Sequence, residues 1–351
     1  MLRKKRDLIG IDIGASSIKL IQLKQVRGQF ELVNMGIVPL APEVIVDNSI
    51  MDPGAIVEAL GGLVESLKVK TKNVATSVSG HSVIIRKIQL PIMTEEEAEN
   101  SIQFEAEQFI PFDISEVNLD FQILGPDAKD PSQMAVLLVA AKKDFVNDHT
   151  AVFLECGFQP VVMDIDCFAL ENAFNINYDT AEDEIVALID MGASSLNVNI
   201  LKEGVSVFTR DIQMGGNLLN EELQKRLGVS DEDAESLKLG GTVADVDTAS
   251  VDQVVSDSCN TIVQEVQRSL DFFAATSAEE KVSRLFLSGG ASKSDILFKT
   301  LQEKFEFEVE LLNPFNQLIV SEKSFDLDYL EAMAPLFSVA VGLGMRRIGD
   351  K

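Results

Sequence analysis

The chain carries 351 residues, 46% apolar and 25% charged, with a formal net charge of −26. That length allows two domains with proper cores, and the composition is that of a globular protein. The acidic excess argues against a nucleic-acid binder, which needs basic surface for the phosphates, and favours a partner carrying positive charge.

The opening MLRKKRDLIG starts like the basic region of a signal peptide, but Asp12 and Lys19 break the apolar stretch behind it. Export is therefore not expected, and the cluster Arg3 to Arg6 reads as a solvated tail. No run of eighteen apolar residues occurs, so no bilayer-spanning segment is expected. Residues 8–14, 17–23 and 29–38 alternate apolar and polar positions and are joined by short turns, the pattern of an antiparallel meander. A helix follows from Asp52 as N-cap and Pro53 at its first position. Gly61 and Gly62 weaken its middle, and close packing against a sheet is expected to account for them. VATSVSG and VIIRKIQL resume the strand pattern.

TEEEAENSIQFEAEQFIPF then reads as a helix with a capping box at Thr94 and Glu97, an apolar face through Ala98, Ile102 and Ala106, and an end at Pro111. From Ile88 to Ala128 there are ten acidic residues and no lysine or arginine, either a solvated acidic face or a landing surface for a basic segment. Strands are expected at 117–124 and 134–141, and an amphipathic helix from about Asp144 to Gly157. The cysteines Cys156, Cys167 and Cys259 lie far apart without metal-ligand spacing and read as reduced, mostly buried thiols. His81 and His149 are too few for a histidine metal site or triad and read as structural.

EIVALIDMGASSLNVNIL repeats the shape of the opening hairpin, so Asp12 and Asp190 are one residue in two copies, 178 positions apart. Duplication at that distance implies two homologous domains rather than a solenoid. Residues 228–264 read as a small acidic helical insertion, 284–292 as a strand entering a glycine turn, and the segment near 330–347 as a closing helix.

Both hairpins have the chemistry of an anion cradle. Gly14 and Gly192 let backbone N–H groups approach an anion, Ser16, Ser17, Ser194 and Ser195 add hydroxyl donors, and Lys19 adds a point charge. Ala15 and Ala193 keep the turns small. Asp12 and Asp190 cannot bind phosphate, but each can hold a hydrated Mg²⁺. Two such hairpins facing each other would clamp a polyphosphate.

With the Gly-Gly-x-Ser turn of Gly289, Gly290 and Ser292, the chain resembles the actin-like ATPase superfamily of actin, heat-shock chaperones, sugar kinases and FtsA. The resemblance implies an α/β fold of two duplicated βββαβα-type domains around a nucleotide cleft holding ATP and Mg²⁺. It makes the hairpins phosphate loops and the Gly-Gly turn the adenosine loop. It places Gly215 and Gly216 near sugar and phosphates, and Glu235 and Lys238 beside adenine and ribose. Asp166 matches the residue that orients attacking water. Glu or Gln is usual there. A side chain shorter by roughly 1.5 Å implies slow hydrolysis or none, since a misplacement of about 1 Å can cost about a hundredfold in rate. Leu20 and Ile21 after Lys19, where glycine is common, and serines for threonines in the second loop also depart from the superfamily pattern.

FEAEQFIPFDISEVNLDFQIL, MDIDCFALENAF and APLFSVAVGLGMRR resemble the FtsA/PilM branch, and within it the PilM family of type IV pilus assembly. This implies a first domain (1A) over 1–184 with an FtsA-like 1C subdomain at about 86–160. A second domain (2A) would cover 185–325, with a small 2B insertion at about 228–264, and residues 326–351 would return to 1A. It also implies a cytoplasmic ATP-binding scaffold, peripheral at the inner membrane, that holds the N-terminal cytoplasmic tail of PilN and indirectly meets PilO and the pilus motor ATPases. Phe104, Glu105, Glu107, Ile110, Pro111 and Phe112 are the partner-binding residues so implied. A small-molecule kinase or an FtsA- or MreB-like filament on the same fold are the alternatives.

Overall fold

Largely buried strands around two tight Asp-x-Gly-Ala-Ser-Ser turns build two sheets of one design. The structure, a computed structural model, describes residues 8–127, 130–277 and 280–349, so the basic cluster Arg3 to Arg6 lies outside the described residues. The chain opens with the meander β1 (Ile9–Ile13), β2 (Ser17–Val26) and β3 (Gln29–Pro39). A short hairpin of β4 (Ile45–Val46) and β5 (Ser49–Ile50) leads to α1 (Pro53–Ser66) and β6 (Asn73–Val78). Next come β7 (Val83–Pro91), α2 (Glu95–Ala106), β8 (Val117–Pro126) and β9 (Gln133–Lys142), then α3 (Lys143–Glu155), β10 (Gln159–Ile165) and α4 (Asp166–Asn177).

The second half opens with β11 (Ile185–Met191), β12 (Leu196–Lys202) and β13 (Val205–Ile212). It continues through α5 (Asn217–Leu227), α6 (Asp231–Lys238), α7 (Thr248–Thr276), β14 (Arg284–Ser288), α8 (Asp295–Lys304) and β15 (Glu308–Leu311). The helices α9 (Leu327–Met333) and α10 (Ser338–Met345) close the chain.

The sheet orders are β3-β2-β1-β6-β10 and β13-β12-β11-β14-β15. In each, the first three strands are antiparallel and the last two run parallel to the first. The duplication thus extends from the hairpins to the whole strand order. Between β6 and β10, a separate sheet of order β7-β9-β8 packs against α2 over its own core of Ile88, Leu90, Ile102, Val136 and Leu138.

Several expectations are corrected. Helix α2 keeps its Thr94–Glu97 capping box but ends at Ala106, well before Pro111. The chain turns there because Phe109 and Ile110 both donate their N–H to the Ala106 carbonyl, which lets Ile110 enter the small core. Gly61 and Gly62 do not pack closely: both are exposed, and a methyl group at either would meet nothing within 4 Å. Helix α3, assigned to the inserted unit, packs on both sides: Val152 and Phe153 lie among Ile9, Leu20, Ile56 and Leu60, and Phe145 lies with Val83 of β7 and Ala141 of β9. The limit at residue 264 falls inside α7, a 29-residue helix whose Val254, Ile262 and Val266 belong to the second core. The closing helix is two helices, separated by a 3-10 turn at Ala334–Phe337 where Pro335 has no N–H to continue the ladder.

The two halves meet around α4 and α10. Ala169, Leu170 and Phe174 of α4 and Val339 and Leu343 of α10 share one buried cluster with Ala75 of the first sheet and Val186, Leu188 and Phe286 of the second. The helices approach at Gly342, where a Cβ would lie 1.7 Å from the Ala169 carbonyl oxygen. Among the described residues, Leu327–Met345 is the one segment apolar and long enough to cross a membrane, and it is mostly buried inside the protein. The three cysteines are free, with Cys167 and Cys259 buried and Cys156 half-buried.

Candidate functional site

The register of the hairpins decides which side chains face the cleft. In the first, Asp12 pairs across the strands with Lys19, and Gly14 donates its N–H to the Ser17 carbonyl at 3.1 Å. In the second, Asp190 pairs with Asn197, and Gly192 donates to the Ser195 carbonyl at 2.9 Å. The turns are the same, and the position filled by lysine in one copy holds asparagine in the other.

The structure brings these turns together. Asp12, Gly14, Ala15, Ser16, Ser17 and Lys19 from one half line a single cavity of about 110 Å³ with Asp190, Gly192, Ala193, Ser194 and Ser195 from the other. Asp166, at the first turn of α4, and the Gly289–Gly290 turn also line it. Gly289 has φ 85°, and a side chain there would strike the Met191 backbone at 2.2 Å, so only glycine lets this turn sit against β11.

Other expected residues lie behind or beyond the cavity wall. Gly216 donates its N–H to the Gly192 carbonyl at 3.0 Å, and a Cβ on Gly215 would lie 2.5 Å from the Ala193 carbonyl oxygen. Both glycines thus brace the second loop from outside. Ser292 is buried and donates its hydroxyl to the Gly289 carbonyl at 2.7 Å, so it shapes the turn and does not line the cavity. Glu235 and Lys238 pair with each other on α6, with Asn220 of α5 donating to Glu235 at 2.8 Å, away from these walls. On α2 and the turn after it, Phe104, Glu107 and Pro111 are exposed, Glu105 and Phe112 half-buried, and Ile110 buried. The Lys142 ammonium sits 4.4 Å over the Phe112 ring.

Electrostatics set the character of the cavity. Lys19 Nζ lies 3.0 Å from Asp12 Oδ2, and the Ser288 hydroxyl donates to Asp190 Oδ1 at 2.7 Å. Burial raises the pKa of Asp190, and the Asp12 charge adds to the rise. Asp166 is pushed up to about 7, first by desolvation and then by Asp12, with Ser77 and Ser79 hydroxyls opposing the shift. Three carboxylates around one cavity repel each other, and a divalent cation would relieve them.

Among the described residues, no group of three or more His, Cys, Asp or Glu is placed to hold a metal ion together. The carboxylates of Asp12 and Asp190 are the oxygen donors from the two loops that a hard cation such as Mg²⁺ would use. Asn197 lines the cavity and its Oδ1 has no hydrogen-bond partner, which leaves a buried acceptor for a bound water or ligand.

Sequence reasoning missed Asn48, Ser77, Ser79, His149 and Asn197 in the cavity wall. Aligning the two hairpin copies would have found Asn197. His149 is buried, with Nδ1 2.9 Å from the Phe145 carbonyl oxygen, and burial lowers its pKa, in keeping with a structural role.

Twin sheets of this strand order, closing on a cleft between two Asp-x-Gly loops, define an actin-like ATPase fold. Solved structures agree. MreB5 of Spiroplasma citri bound to AMPPNP matches with a TM-score of 0.52 at 14% identity, over 96% of this chain and 94% of that one. The ethanolamine utilization protein EutJ from Carboxydothermus hydrogenoformans matches at 0.56 and 15%, over 96% and 88%. Cell division protein FtsA of Enterococcus hirae is 22% identical over 95% of this chain and 85% of its own length. The structure of a PilM-PilN type IV pilus biogenesis complex matches far better, with a TM-score of 0.86 and 26% identity over 98% of this chain and 99% of that one. The family model for type IV pilus assembly protein PilM covers residues 10–348, and the chain belongs to that family.

Proposed function

We propose that this protein is a nucleotide-binding scaffold of the type IV pilus assembly platform, holding the N-terminal tail of PilN on the cytoplasmic side of the inner membrane. The observation that carries the reading is the near-complete match to the PilM-PilN complex, joined to paired Asp-x-Gly-Ala-Ser-Ser loops that line one cavity.

In this reading ATP enters between the loops. Backbone N–H groups and the serine hydroxyls bind the phosphates, and Lys19 adds its charge. Asp12 and Asp190 would hold Mg²⁺, which would supply charge neutralisation for the phosphates. Asp166 is the residue near which an attacking water would sit. Its short side chain favours binding over rapid hydrolysis. Glu235 and Lys238 reach the base and ribose when the ligand is bound. The partner surface includes Phe104, Glu107 and the turn through Phe112, where acidic and apolar groups suit a tail with a basic residue among apolar ones. PilO and the motor ATPases are then met through PilN.

The test pairs two measurements on the full chain: calorimetry with Mg-ATP, and capture by an immobilised PilN N-terminal peptide. Saturable binding in both supports the reading. Absence of peptide capture with and without ATP removes the scaffold role, and absence of heat with Mg-ATP on folded protein removes the nucleotide.

A further inference from the structure

Both half-sheets leave an end strand unpaired. β7 is an outer strand of the small sheet, and β13 is an outer strand of the second large sheet. The two strands line the same groove, of about 640 Å³, with consecutive residues 85–87 on one side and 206–210 on the other. No backbone hydrogen bond joins the two strands. An unpaired strand offers a row of N–H and C=O groups to another chain.

The charge of this groove is opposite to that of the molecule. Arg86, Lys87 and Arg210 line it, and no carboxylate does among the described residues, on a chain of formal charge −26. Glu265 stands 3.8 Å from Arg210 and offsets that cation in part; Arg86 and Lys87 are exposed. Apolar side chains share the groove with the cations: Ile85, Phe208 and Phe272, the last 57% exposed with its ring centroid 5.9 Å from that of Phe208.

We propose that this groove is a second peptide-docking site, which takes an extended segment of a partner protein with acidic residues alternating with apolar ones. Such a segment adds as a strand along β7 or β13, with one side-chain set on Phe208 and Phe272 and carboxylates near Arg86 and Lys87. At about 3.3 Å per residue, the five lining residues of β13 accommodate a peptide stretch of similar length. The chemistry is the reverse of that expected for a basic tail, so this site is distinct from the partner surface proposed above and does not depend on it.

The experiment uses the full chain and a capped, dye-labelled octapeptide alternating glutamate and valine, followed by fluorescence anisotropy. Saturable binding is expected, weakened tenfold or more by Arg86→Glu combined with Lys87→Glu. Hydrogen exchange on the unaltered protein should show new protection at residues 85–87 and 206–210 when the peptide is added. The proposal is overturned if the peptide does not bind, if a lysine–valine peptide binds as tightly, or if charge reversal leaves affinity unchanged. Protection at other strands overturns it too. Displacement of the acidic peptide by the PilN tail, with the same strands protected, would make the groove that partner's. Self-association abolished by the same charge reversal would make the occupant a second copy; either result sinks the proposal.

Discussion

Asp166 shows what a buried carboxyl in this cavity costs in stability. Its carboxyl titrates near 7 in the fold against an ordinary value of 3.8, so the folded state holds a proton that the unfolded chain has released. Stability must therefore fall as pH rises from about 4 through about 7, then level off. Asp166→Asn removes that slope. Its melting temperature should exceed that of the unaltered protein at pH 8, by a stability on the order of 1–3 kcal/mol, and the two should converge at pH 4 to 5. Equal pH profiles in thermal melts would show that the carboxyl is not perturbed. Lys19 has the opposite character, since its partner Asp12 is 3.0 Å away and the phosphates would compete for it. Lys19→Met should weaken Mg-ATP binding about 10- to 100-fold, the worth of one or two charge-assisted hydrogen bonds, as read by calorimetry.

At the scale of elements, local rules account for helix starts better than helix ends. Asp52 caps α1 by accepting from the Ala55 N–H, and Thr94 caps α2 with its full box. Thr94→Ala should cost about 1 kcal/mol. The ends of α2 and of the closing helix were decided by burial of Ile110 and by the turn at Pro335, neither of which periodicity registers. Gly61 and Gly62 show the same limit. Their presence suggested close packing, yet a methyl group at either meets open space. Gly61→Ala and Gly62→Ala should each stabilise α1 by about 0.5–1 kcal/mol, measurable as additive rises in urea midpoint; a loss of stability would mean that a hidden contact requires glycine.

The whole molecule is two copies of one sheet joined at α4 and α10, with the smaller sheet β7-β9-β8 inserted in the first half. The Asn199 side-chain amide donates to the Cys167 carbonyl at 2.9 Å, and the Gly80 N–H donates to Asp211 at 2.9 Å, so polar bonds supplement the shared apolar cluster. A ligand held by loops from both halves stabilises only the joined state. Mg-ATP at a hundred times its dissociation constant should add about 2.7 kcal/mol and raise the melting temperature of the chain in a differential scan. Gly342→Ala attacks the joint itself, because its methyl would displace the Ala169 backbone. Overpacking of this kind should cost about 1–3 kcal/mol or more, and Mg-ATP affinity should fall with it.

The repeated Asp-x-Gly-Ala-Ser-Ser hairpin, the strand pattern around it and the caps of the helices were legible in the linear chain, because each depends on neighbours a few positions away. From the repeat alone followed two homologous domains and the eleven cleft-lining residues of the two loops. Only the tertiary structure placed Ser77 and Ser79 against Asp166, brought α3 onto the first core and left β7 and β13 facing across a basic groove. Those relations join segments up to more than a hundred residues apart. Burial and sheet edges, which decide pKa values and open binding surfaces, come into being only when those segments pack.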